Sequence, residues 1–273
     1  MFHMACPAPI GALKESVREF WNSEPCGSRY LESADGFDAH ARARYSREPH
    51  IAEFAGFAQA RDLRVLEIGV GVGADYLEWL KAGAQATGVD ISNASLERAR
   101  RRCKAAGYTP DLHLADAEHL PFPDDIFDVV YSYGVMHHSP DTQACIREAW
   151  RVLKPGGQAR IMLYHHASWT GLMLWLRFGS WRGKSVRGTV YDHLESPGTK
   201  TYTNNDITAL LSDFRDIRLR QVFSPGDLLL HHPSKRFQSW IYRAGWRLWP
   251  RTLVRTLGLR WALFLLISAT KPT

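Results

Sequence analysis

Glu67-Ile68-Gly69-Val70-Gly71-Val72-Gly73 sets an acid and three glycines at one turn. Glycines there let the backbone pass close to a ligand. Two more acids follow: Asp90, ahead of Ile91, and Asp116, between Ala115 and Ala117. On its own the run also satisfies a dinucleotide fingerprint through Gly69, Gly71 and Ala74. Asp90 suits either ligand, because any adenosine ribose offers two hydroxyls to one carboxylate. Asp116 is placed to accept from an adenine amino group. Glu67 separates the readings: beside the glycines it repels a pyrophosphate and favours a cationic end, such as the amino group of a methionine moiety. The ligand this predicts is an adenosine without phosphates, S-adenosylmethionine (SAM).

Proton-transfer chemistry is available from His137 and His138, and from Tyr164 with His165 and His166. Neighbouring residues of an extended chain point to opposite faces, so at most one of each histidine pair is expected to face a site. His231-His232 is a third pair. No carboxylate or cysteine accompanies these pairs at helical ligand spacing, so no metal site is expected.

The elements that carry these residues alternate. Strands are predicted at 64–68, 86–90, 111–115, 127–132 and 158–164, with helices at 74–82, from the Ser92 cap to about Ala106, and from Ser139-Pro140 to Leu153. Such β-α-β alternation means a parallel sheet, with the acids and histidines at its carboxyl edge, where open α/β sheets bind ligands. A helix at 205–214 and strands at 217–223 and 261–270 follow. The chain divides into a helical, aromatic-rich lead-in (1–60) and one domain (61–273), with insertions at about 165–204 and 224–260.

Taken together, Val65–Gly73, Gly88–Ser92, Ala115–Pro123, Phe127–His138 and Arg151–Gly157 resemble the class I SAM-dependent methyltransferases. The likeness is strongest to the small-molecule type related to ubiquinone/menaquinone C-methylases, and it covers roughly residues 60 to 165. It implies a Rossmann-like α/β fold with a seven-stranded sheet in the order 3-2-1-4-5-7-6, strand 7 antiparallel. It further implies an Ala117 N–H offered to adenine, and Ser132 and Gly134 beside the methyl-transfer channel. Phe20–Gly27 is similar to a segment that closes over SAM in bacterial small-molecule methyltransferases. The implied reaction is in-line transfer of a methyl group to a small-molecule acceptor in specialised or isoprenoid-type metabolism.

Composition bounds the remaining choices. With 273 residues, 45% hydrophobic, the chain is long enough to bury its own core. Cys6, Cys26, Cys103 and Cys145 lie far apart, which suits a reducing cytoplasm. The N-terminus has no apolar run of signal-peptide type, and the Trp261–Ala269 run is too short to span a bilayer. The net charge of +6 is local. Beyond Asp227 there is no acid, but there are Lys235, Arg236, Arg243, Arg247, Arg251, Arg255, Arg260 and Lys271. Removing those eight from 34 basic residues leaves 26 against 28 acidic, a net of −2. No nucleic-acid partner is therefore expected. Residues 236–248 carry arginines on one helical stripe and Phe237, Ile241, Ala244 and Leu248 on another. Such a helix suits packing on the domain, a homodimer contact, peripheral membrane contact or a lid over a greasy or anionic acceptor. Ten Trp, twelve Phe and ten Tyr favour a hydrophobic or aromatic acceptor. The competing functions are an RNA or protein methyltransferase and a non-catalytic SAM-binding partner protein.

Overall fold

In the computed structural model, residues 10–23, 34–196, 198–230 and 247–273 are described. The 236–246 part of the amphipathic stretch and the His231-His232 pair lie outside them. Seven strands form one sheet: β1 (Arg64–Ile68), β2 (Gln85–Asp90), β3 (Asp111–Leu114), β4 (Phe127–Tyr133), β5 (Leu153–Tyr164), β6 (Arg215–Val222) and β7 (Phe264–Thr270). Their order is β3-β2-β1-β4-β5-β7-β6, and β7 runs antiparallel to β5 and β6. This is the expected topology.

Strand alternation explains why the sheet is covered on both sides. Leu66, Val130 and Ile267 face one core, with Ile146 and Ile207. Val65, Val129 and Leu266 face the other, with Tyr76, Trp79 and Leu96. The helices that supply these residues are α4 (Ala74–Lys81), α5 (Asn93–Ala105), α6 (Thr142–Val152) and α9 (Asn204–Leu210). At the sheet edge, β6 carries Arg215, Arg218 and Arg220, charges that discourage pairing with another chain.

The lead-in forms α1 (Ile10–Ser23), α2 (Ala34–Arg47) and α3 (Ile51–Ala55). The 165–204 insertion forms α7 (Trp169–Leu174) and α8 (Val186–His193), and α10 (Arg251–Leu257) precedes β7. One buried carboxylate ties the late segments together. Asp227 Oδ1 accepts from the Thr170 N–H and hydroxyl, both at 2.9 Å. Its Oδ2 accepts from the backbone N–H groups of Ser224 at 2.9 Å and Leu263 at 2.8 Å.

Three expectations need correction. Ser139-Pro140 does not open α6. Asp141 is the cap, accepting from the Ala144 N–H at 2.9 Å, while Ser139 gives its hydroxyl hydrogen to Glu118. The fifth strand begins at Leu153 rather than Gln158, because Leu153 already pairs with Phe127 ahead of a register shift. The run Arg98, Arg100, Arg101, Arg102 and Lys104 on α5 reads from sequence as a solvated face, but one member turns inward. Arg102 is buried, donates to the Phe37 carbonyl at 3.2 Å, and lies over the Phe37 ring.

Candidate cofactor and methyl-transfer site

One pocket opens at the carboxyl edge of β1, β2, β4 and β5, where α1 and α2 roof it. Glu67, Gly69, Gly71, Asp90, Ile91, Asp116, Ala117 and Gly134 all line it. Ser132 does not. It is fully buried behind the wall, so the place given to it beside a methyl-transfer channel is not borne by the geometry.

The glycine turn explains how the acids converge. Gly69 has φ +81°, and a Cβ there would stand 2.1 Å from Val135 Cγ2, so the turn admits no side chain. Gly71 has φ +54°, but a Cβ there would meet nothing within 4 Å; it borders open space. Its N–H donates to Asp90 Oδ2 at 2.8 Å, while the Ser92 N–H donates to Oδ1 at 2.8 Å. Burial pushes the Asp90 carboxyl up, and these backbone donors oppose that push. Each oxygen keeps acceptor capacity for a hydroxyl.

Two acids at the methionine end are treated differently. Asp75 is saturated. Arg44 donates to both its oxygens at 2.9 and 2.6 Å, Tyr45 donates at 3.0 Å and Tyr131 at 2.8 Å. Burial works to raise its carboxyl, but the Arg44 charge and these donors hold it below its ordinary value. Glu67 is buried, its Oε2 at hydrogen-bond distance from no donor among the described residues, with the Trp79 indole N–H the nearby group that favours its charged form. Burial and then the Asp75 charge push its carboxyl well above the usual range. An orphaned buried acid needs a donor, and an ammonium group supplies one with charge.

At the far end, the Lys14 ammonium lies 2.6 Å from Asp116 Oδ2 and also pairs with Glu118. The Glu118 N–H donates to Asp116 Oδ1 at 2.9 Å. The three predicted acids thus stand along one cavity, in the order an adenosine carrying a methionine chain requires. Orphaned Glu67, the open space beside Gly71 and the remaining acceptor sites of Asp90 fit SAM.

The histidines separate cleanly. His138 lines the pocket and His137 does not. His137 is fully buried, its ring 3.8 Å from the Tyr164 ring centroid, and burial followed by the neighbouring His138 holds it well below its ordinary value. It is a neutral packing group, so its candidacy for proton transfer is withdrawn. His165 likewise leaves the list, because it lies outside the pocket lining and bonds through Nδ1 to the Ala167 carbonyl at 3.0 Å.

His138 Nδ1 lies 2.8 Å from Ser196 Oγ and 3.0 Å from Thr199 Oγ1. The Thr199 hydroxyl already donates to the Ser196 carbonyl at 2.8 Å, so toward His138 its oxygen only accepts. Nδ1 is thus turned to these hydroxyls, and Nε2 is turned to the Glu195 side of the pocket wall. Nε2 has no hydrogen-bond partner among the described residues, but Glu195 Oε2 stands 3.3 Å away. Tyr164 donates to that oxygen at 2.8 Å. Burial raises the Glu195 carboxyl, yet His138 and Tyr164 outweigh it and hold the group below its ordinary value. Glu195 sits at φ +56°, a left-handed angle that a non-glycine residue adopts at a cost.

Donor atoms of His137, His138 and Glu195 lie within 4.8 Å of one another, so the fold supplies the carboxylate that spacing did not show. We read the group as a proton-transfer set, because Tyr164 occupies Glu195 and His137 is shut beneath the Tyr164 ring.

Sequence reasoning missed Glu195, Arg44 and Lys14. A signal existed for Lys14: with Val17 and Trp21 it makes an i, i+3, i+7 stripe on α1, and all three line the pocket. Trp21 stands edge-on to His138, ring centroids 5.2 Å apart.

Comparison with known proteins bears on the family and the fold. Residues 66–161 match the family model described as a methyltransferase domain. They form a class I, SAM-dependent methyltransferase domain. Over 102 residues the chain is 42% identical to methyltransferase GfsG of Streptomyces halstedii, covering 36% of each. Over 98 residues it is 41% identical to the 27-O-demethylrifamycin SV methyltransferase of Amycolatopsis mediterranei, covering 35% of this chain and 36% of that one. The chain therefore spans only about a third of the length of these curated relatives. In fold it resembles phosphoethanolamine N-methyltransferase 2 of Haemonchus contortus, solved with phosphomonomethylethanolamine and S-adenosylhomocysteine. The TM-score is 0.61 at 20% identity, over 94% of this chain and 60% of the other.

The methyltransferase domain carries a testable proton linkage at Glu67. A carboxyl with a raised pKa holds its proton in the free protein, and an ammonium ligand favours the charged form. SAM binding is expected to release protons, and affinity is expected to weaken as pH falls. Calorimetry in buffers of different ionisation heat reads this directly. A buffer-independent binding heat would contradict the assignment, and Glu67→Gln is expected to remove the dependence.

Proposed function

We propose that this chain transfers a methyl group from SAM to a small hydrophobic or aromatic acceptor, and that His138 receives the acceptor's proton. The observation that carries the reading is one pocket holding both the Glu67–Asp90–Asp116 series and the His138–Glu195 pair. Bound SAM supplies a methyl group already activated by its positive sulfur. The remaining work falls to this chain. Glu67 and Asp90 fix the two ends of the donor, Asp90 by accepting from the ribose hydroxyls. Arg44 keeps Asp75 ionised and oriented against the glycine turn. Trp21, Tyr133, Met162 and Phe264 line the pocket with apolar surface that excludes water and suits a hydrophobic acceptor.

His138 Nε2 is the acceptor's base. Glu195 stabilises the imidazolium that forms, and Tyr164 holds Glu195 in place. Tyr164 and Glu195 act through His138, so they are positioning residues. One relative is named for 27-O-demethylrifamycin SV, a name that marks an oxygen without its methyl group, in keeping with an acceptor that must lose a proton.

Incubation of the purified protein with SAM and a panel of phenols, hydroquinones, alcohols and amines, read by mass spectrometry, tests the proposal. The expected result is one acceptor heavier by a methyl group, with S-adenosylhomocysteine formed in equal amount. Methylated RNA or protein in place of every small acceptor would favour the competing enzyme class. Tight SAM binding with no product from any of these would favour a non-catalytic role.

A further inference from the structure

The segment just ahead of β7 presents a surface that the methyl-transfer reading does not use. Leu248 is 80% exposed, Leu253 55% and Trp261 44%, although Val254 between them is buried against the domain. Arg247, Arg255 and Arg260 are exposed on the same short stretch. No acidic residue occurs anywhere from 228 to 273, so nothing in that stretch of sequence neutralises them. The segment is seated firmly. Arg251 donates to the Leu229 carbonyl at 3.1 Å, and the Trp249 and Trp261 rings both pack on Trp169, with centroids 5.9 and 5.8 Å away.

Its location ties it to the pocket. Because β7 is antiparallel, its first residue, Phe264, pairs with Tyr164 at the carboxyl edge of β5. Phe264 and Tyr164 both line the pocket. Trp261 stands three residues before Phe264, and the Leu263 N–H is fixed by Asp227. The exposed leucines and arginines thus belong to the segment that leads directly into the pocket-lining start of β7.

We propose that this segment docks on the surface of an anionic phospholipid bilayer. Large apolar side chains interleaved with guanidinium groups are the chemistry that such an interface selects. Leucine and tryptophan enter the headgroup layer, and arginines meet lipid phosphate and carboxylate. A protein partner would instead require carboxylates of its own opposite each arginine around a dry centre. No helix among the described residues is long and apolar enough to cross a membrane, so the contact is peripheral. The inference rests on the proposed methyl-transfer function and narrows it: the acceptor is a lipophilic molecule drawn from the membrane.

Sedimentation of the full chain with vesicles tests this. One set is phosphatidylcholine alone; the other is phosphatidylcholine with phosphatidylserine. Binding is expected to the anionic set only, at least about tenfold tighter than to the neutral set, and to fall steeply at high salt. Leu248→Ser/Leu253→Ser and Arg255→Gln/Arg260→Gln are each expected to reduce it about tenfold or more, with SAM affinity unchanged as the check on folding. No binding of the wild-type chain to anionic vesicles overturns the proposal. So does binding that both double variants leave intact, retention on polyuridylate without vesicle binding, or self-association without it. Calorimetric SAM affinity keeps the two readings apart. A chain that binds SAM but not vesicles fails only here; one that binds vesicles but not SAM fails the methyl-transfer reading.

Discussion

His138→Ala will lower turnover about 100-fold or more while SAM binds as before. The reason is the division of labour within one pocket. His138 is paired with Glu195, whereas Glu67 and Asp90 are the groups assigned to the donor. Single-turnover kinetics with saturating SAM measures the chemical step, and calorimetry measures the donor's affinity. A His138→Ala protein with normal single-turnover rate and weakened SAM binding would reverse the assignment. Glu195→Gln keeps the side chain's shape but removes its charge, so its rate is expected to fall in the same direction by a smaller factor. The sign with pH follows from the depressed Glu195 pKa. Its folded value lies below the ordinary carboxylate value, so the charge that steadies His138 is present through the neutral range. That charge is lost only as pH falls through the depressed value.

Asp90→Ala will weaken SAM binding by about 1.5–3 kcal/mol, roughly ten- to a hundredfold. Asp90 has two jobs, and the substitution removes both: it orders the Gly71 and Ser92 N–H groups, and it offers acceptor capacity toward the ribose. Asp90→Asn separates them, because one amide oxygen still accepts from a backbone donor while the charge is lost. A folded Asp90→Ala protein with unchanged calorimetric affinity for SAM would refute the ribose role.

How much of this was legible in the sequence depends on the range of the interaction involved. The strands announced themselves as short apolar runs, because residues such as Val65 and Leu66 are buried on opposite faces of a doubly covered sheet. Glu67, Asp90 and Asp116 were legible because each ends or follows a strand, and parallel strands deliver their ends to one edge. Ser132 misled because a residue inside β4 alternates in and out, and register alone decides which. His137 and His138 could not be told apart by spacing; a 3-10 turn at Met136–His138 sets one under Tyr164 and the other on the pocket. Glu195 had no signal at all. It reaches His138 from an insertion 57 residues later in the chain, through a left-handed backbone angle that its residue type does not advertise.

Asp227 has a consequence for how such a molecule diversifies. A single side chain, bonded to backbone N–H groups and hydroxyls, gathers the start of α7, the end of the β6 excursion and the entry to β7. The late segments that follow β5 are gathered at that knot, whereas the donor acids Glu67 and Asp90 stand on β1 and β2. The two halves are thus separable inheritances. Substitutions and length changes distal to the knot can reshape what is methylated, generation after generation, without disturbing the machinery that holds the methyl donor.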